Sequence, residues 1–197
     1  MPPKARITKD MIIDAAFELL KTDGIEMVNA RKIAEKLNCS TQPIMYYFSG
    51  MNELKNSIYQ KADDYHTAFI MDIRYDEGNP LLEIGIRYIR FAVMEKAVFK
   101  FLFQSDKFAD KELLEIIRDE ELRPVLEILS QVIKLSPVQA EALFEQIFFM
   151  VHGIASLLAN NQMTFDEAHV LNLLKAGFKG AVLTLKAEEE KKNDKHI

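Results

Sequence analysis

The chain has 197 residues, 49% of them hydrophobic, with seven glycines and six prolines, a composition that can bury one or two cores and suits mostly helical structure. A single cysteine, Cys39, excludes an internal disulfide. With no apolar run of membrane-spanning length and no charged-then-apolar leader, a cytoplasmic protein with no membrane partner is expected. The net charge of −5 is uneven: residues 1 to 61 hold nine Lys or Arg against seven Asp or Glu, and the remainder sixteen against twenty-three.

Taken in chain order, Thr8 caps a predicted helix from Lys9 to about Asp23, in which Ile12, Ala15, Ala16, Leu19 and Leu20 form one apolar stripe and Gly24 ends the run. A second helix follows Asn29, whose side chain can accept from the orphan N–H groups, and Ile33, Ala34 and Leu37 share its apolar face. Asn38 suits the left-handed residue that closes it, Cys39 is small enough for the turn, and Ser40 is read as the cap of a third helix beginning Thr41-Gln42-Pro43. Ile44, Met45 and Phe48 are expected to face inward, leaving Thr41, Gln42, Tyr46 and Tyr47 outside. This spacing is that of a helix-turn-helix, whose outer residues can meet base edges and phosphates; an ordinary helical hairpin is the alternative. After Ser49-Gly50 a fourth helix runs from Asn52 through Leu54, Ile58, Ala62 and Tyr65 to about Phe69.

Within residues 8 to 60 the chain resembles the TetR family of transcriptional regulators. The matching pieces are IIDAAFELLKTDGIE, ARKIAEKL, CSTQPIMYYF and NEL. Carried over by position, the resemblance implies DNA contacts from Arg31, Thr41, Gln42, Pro43, Tyr46 and Tyr47. Two positions depart from the family pattern: Asn38 stands where Gly is usual, and Met51 where a phosphate-anchoring Lys is common. Lys55, one turn later, is the candidate for that contact. The basic excess at Lys4, Arg6, Lys9, Arg31, Lys32 and Lys36 gives this part of the chain an electrostatic affinity for phosphates.

The polar stretch Asp72 to Pro80 interrupts the helical pattern, and helices are predicted over Leu81 to Phe103, Asp110 to Lys134 with a kink at Pro124, Pro137 to Asn160 after Ser136, and Phe165 to Glu190. No strand alternation and no internal repeat is visible, and the tail AEEEKKNDKHI reads as solvated. The expected architecture is all-α: a helix-turn-helix DNA-binding domain over residues 1–50, a connecting helix over 51–71, and a helical bundle over 72–197 for ligand binding and dimerisation.

Eleven of the thirteen Phe lie beyond residue 60. Tyr88, Phe91, Phe103, Phe144, Phe148 and His152 are candidates to line a pocket for an apolar or amphipathic small molecule, with Gln146 or His152 at its polar end; core packing is the alternative for each. Small residues recur along the last two helices, where mid-helix glycine costs about 1 kcal/mol relative to alanine and close approach of another backbone compensates. Gly153, Ser156, Leu158, Leu174, Gly177, Phe178, Gly180 and Ala181 are candidates for a dimer interface, which the family resemblance implies is a four-helix bundle; packing within one chain explains them equally.

The competing class is a metal-dependent helical-bundle enzyme. Asp63 with His66, and Asp166 with His169, each place carboxylate and imidazole on one helical face. No Gly-rich phosphate loop, nucleophile elbow or zinc-ligand cluster appears, so the reading is non-enzymatic with no cofactor. The expected function is a DNA-binding transcriptional regulator: a ligand-responsive repressor acting as a homodimer on a palindromic, double-stranded DNA operator.

Overall fold

The computed structural model describes residues 7–72, 80–104 and 123–193. All regular structure among them is helical, as the all-α reading requires. Lys4, Arg6, Phe108, the 73–79 stretch, the expected helix before Arg123 and the end of the tail lie outside the described residues. The chain divides into two compact units, one of residues 1–72 and 91–106, the other of residues 73–90 and 107–197.

In the first unit, α1 (Lys9–Asp23) is the element on which α2 (Ala30–Lys36), α3 (Gln42–Tyr47), α4 (Met51–Met71) and α6 (Lys96–Phe103) all pack. Thr8 Oγ1 accepts the Met11 amide at 3.2 Å, and Gly24, at φ 84°, closes the helix by donating to the Leu20 carbonyl at 3.0 Å. The shared core contains Ile12, Leu20, Ile33, Ile44, Leu54 and Ile58, joined from α6 by Phe99 and Leu102. Each such side chain contributes about 1.5–3 kcal/mol by leaving water.

The single helix expected over Leu81 to Phe103 is instead two, α5 (Pro80–Met94) and α6, parted at Glu95. Glu95 leaves helical geometry at φ −116° and ψ 48°. No Gly or Pro marks the break; the cause is tertiary. The Tyr65 hydroxyl of α4 donates to Glu95 Oε1 at 2.7 Å, and Lys21 Nζ of α1 lies 3.6 Å from the same oxygen. Burial, then the bond to Glu95, raises the Tyr65 pKa above its ordinary value.

The second unit holds the first part of α5 with α7 (Arg123–Ile133), α8 (Pro137–Asn160) and α9 (Glu167–Asn193). A reciprocal box opens α8: Ser136 Oγ accepts the Gln139 amide while Gln139 Oε1 accepts the Ser136 amide. Gln139 Nε2 also donates to the Leu185 carbonyl at 3.0 Å, tying α8 to α9. Leu129, Leu135, Ala140, Leu143, Ala181 and Leu185 form the core between α7, α8 and α9. Arg90 grips Glu167 through two bonds of 2.7 and 2.5 Å, fixing the start of α9 on α5.

One composition reading needs correction. By length and composition α8 is apolar enough to cross a membrane, with 24 residues and a mean hydropathy of 1.6 over its best window. Glu141 and Glu145 interrupt the run in sequence and hide it from a scan for unbroken apolar stretches.

Candidate nucleic-acid interface

The turn between α2 and α3 is built by local chemistry. Asn29 Oδ1 accepts the Lys32 amide at 3.1 Å and opens α2. At its other end Asn38 adopts φ 49°, its amide bonds the Glu35 carbonyl at 3.0 Å, and the Cys39 amide bonds the Ala34 carbonyl at 2.9 Å. This paired closure lets two carbonyls find donors while the chain reverses. Asparagine tolerates the left-handed conformation better than other residues with a Cβ, so it does here what glycine would do. The expected Ser40 cap is not formed: Thr41 holds the cap position of α3 and makes no side-chain cap bond, while Pro43 sits in the first turn, where its missing N–H breaks nothing.

Two residues anchor α3, Ile44 and Phe48, each 2% exposed. Met45, expected inside, is 60% exposed and Tyr46 78%. Ile44 and Phe48 are four apart and share a face, whereas Met45 is rotated about 100° from Ile44. So short a helix needs no third anchor. Gln42 is exposed, and Tyr47 is half-buried with its ring at 5.1 Å, edge-on, to that of Tyr46. Thr41 and Pro43 are also half-buried, at the entry to the helix.

Arg31 is exposed in the first turn of α2 and Lys55 in the second turn of α4, while Lys9 lies over the Phe48 ring at 5.2 Å. The loop into α4 is held by Glu53, whose carboxylate accepts both the amide and the hydroxyl of Ser49 at 2.7 and 2.8 Å. Those bonds hold its pKa below the ordinary carboxylate value. Met51, at the start of α4, is half-buried. A glutamine on such a face can pair with the N6 and N7 edge of adenine, tyrosines can stack or bond phosphates, and Arg or Lys can neutralise phosphates.

The six candidate ligand residues fall into two groups. Tyr88, Phe144, Phe148 and His152 meet in the second unit: the Tyr88 hydroxyl and His152 Nδ1 are hydrogen-bonded at 2.9 Å, and the Phe148 ring stacks on Phe144 at 5.9 Å and on His152 at 5.6 Å. Burial lowers the His152 pKa and raises that of Tyr88. Phe91 and Phe103 instead belong to the first unit, edge-on to His66 at 4.9 and 5.1 Å. Gln146 is exposed on α8 and does not join the Tyr88 group.

The candidate dimer residues also divide. Leu158, Leu174 and Ala181 are buried in the chain's own core, and Gly177 faces Met150, whose Cε would lie 2.7 Å from an added Cβ. Phe178 and Ser156 are half-buried. Gly153 and Gly180 are exposed, with nothing among the described residues within 4 Å of an added Cβ. Leu157 follows Gly153 on α8, and Leu173 and Leu183 flank Gly180 on α9; these three leucines are exposed as well.

The paired Asp and His residues are used otherwise. His66 is buried among aromatic rings, and the Asp166 carboxylate accepts the His169 amide at 3.0 Å ahead of α9. Among the described residues no group of three or more His, Cys, Asp or Glu side chains could hold a metal ion.

A three-helix head with a capped reversal and an outward polar and aromatic helix defines a helix-turn-helix DNA-binding protein. Residues 12–58, from α1 into α4, match the family model of the bacterial regulatory proteins of the tetR family, so this head is similar to the DNA-binding domain of those regulators. Comparison with curated proteins gives no match.

Proposed function

We propose that the protein is a ligand-responsive repressor that works in the cytoplasm as a homodimer on a palindromic operator. The observation that carries the DNA-reading part is the outer face of α3: Gln42 and Tyr46 stand in solvent on a helix whose other side is locked into the core by Ile44 and Phe48. Selection of bound duplexes from a random pool tests it. The expected product is an inverted repeat whose half-sites are about 34 Å apart or a multiple of that, and recovery of no preferred sequence would overturn the reading. Gln42→Ala is expected to weaken the preferred site by about 1–3 kcal/mol and blur one base position. Lys55→Ala should weaken all sequences alike and flatten the salt dependence, because it removes a phosphate contact and no base contact.

The support for a homodimer is the pair of open glycines. Among the described residues nothing comes within 4 Å of a Cβ added at Gly153 or Gly180, so packing between those residues does not account for them. Leu157, four residues after Gly153 on α8, is 55% exposed and offers an apolar side chain to a second copy.

The support for an effector is the Tyr88, Phe144, Phe148 and His152 group, a polar pair set among stacked rings. An apolar or amphipathic molecule bound there lowers operator affinity only if it binds the DNA-incompetent geometry more tightly. Coupling of about 1–3 kcal/mol changes affinity roughly 5- to 150-fold, and operator must weaken the ligand by the same factor. A compound found by thermal shift is therefore expected to bind less tightly with saturating operator present; equal affinity in both conditions counts against the inducer model. Phe148→Ala should weaken that compound and leave ligand-free DNA binding intact.

A further inference from the structure

The exposed face of α3 carries one side chain that polar readout does not explain. Met45 is 60% exposed between Ile44, which is sealed in the core, and Tyr46, which is 78% exposed. It lies three residues after Gln42, so the two side chains are neighbours on the helix surface. An unbranched thioether gains nothing from water, and in the second turn of a helix laid in a groove it meets base edges. Of the four unmodified base-pair edges in the major groove, only those containing thymine offer an apolar group, the C5-methyl.

We propose that Met45 reads the C5-methyl of a thymine in a base pair adjacent to the one addressed by Gln42. This rests on the DNA-reading assignment of α3 and adds a base identity to it. The anchoring of Ile44 and Phe48 fixes where the Met45 Cα stands, while three rotatable side-chain bonds and a polarizable sulfur let the tip settle on a methyl group without exact placement. Tyr46, the next residue, turns its ring edge-on to Tyr47 at 5.1 Å.

The test uses the full-length protein and the duplex selected from the random pool. Each thymine in turn is replaced, in both half-sites, by deoxyuracil, which removes the methyl and keeps the base pair. One position is expected to lose about fourfold in affinity per half-site, the worth of one buried methyl-sized group. In Met45→Ala that position should become indifferent to the methyl, and in Met45→Leu the preference should persist. Because residue 45 is exposed, both variants are expected to melt with the parent protein. If no thymine position loses its methyl preference in Met45→Ala, the assignment is overturned, even where Gln42→Ala still blurs a neighbouring base. If the parent protein selects no DNA, the regulator reading fails and this assignment with it.

Discussion

Leucine in place of Gly180 is expected to leave each chain folded while splitting the proposed homodimer. Among the described residues a Cβ added at this position meets nothing within 4 Å, and replacing a mid-helix glycine favours the helix by up to about 1 kcal/mol. Stability of the isolated chain should therefore hold or rise. In the proposed dimer a second copy of α9 would pack over Gly180, beside the exposed Leu173 and Leu183, and an isobutyl group there would hold the two helices apart. Sedimentation should show a change from two chains to one. Operator affinity should fall by about 10²-fold or more, since the second half-site contact is no longer tethered to the first. A Gly180→Leu protein that remains dimeric would place the interface elsewhere.

The second large effect concerns acid. His66 of α4 is 6% exposed and packs against Phe91 and Phe103, and burial pushes its pKa from 6.5 down to about 4. The folded state thus holds it neutral where the unfolded chain takes up a proton. Its contribution is complete above about pH 6.5 and is lost as pH falls towards 4, at about 1.4 kcal/mol per unit and about 3 kcal/mol in all. His152, lowered by burial in the second unit, acts in the same direction. Urea unfolding of the parent and of His66→Gln at several pH values between 7 and 4.5 separates the two. The variant should show a shallower decline, and parallel slopes would remove His66 as the cause.

What could be read in the amino-acid sequence was what local chemistry decides. Thr8, Asn29 and Ser136 announce helix starts because their side chains bond amides only three residues away, and Asn38 announces the reversal because few residues accept its backbone conformation. Tyr46 and Gln42 could be placed outside by spacing alone. The break at Glu95 could not, because its partners Tyr65 and Lys21 are 30 and more residues distant. Spacing also placed Met45 inside, since nothing in a six-residue helix says how few anchors it needs. The aromatic residues beyond residue 80 look alike in sequence, yet Phe91 and Phe103 serve one unit while Phe144 and Phe148 serve the other.

That last division bears on how such a regulator can be rebuilt. The DNA-reading unit is assembled from two stretches of chain, residues 1–72 and 91–106, and the seam falls inside α5 between Arg90 and Phe91. A chain cut after Asp72 keeps every residue of the helix-turn-helix and loses Phe91, Phe99 and Leu102, all fully buried. The apolar sides of α1 and α4 would then face water. In this chain the head is therefore expected to transplant only if α6 comes with α1 to α4; a hybrid regulator that lacks α6 should lose stability, whereas one that changes α3 alone should keep it.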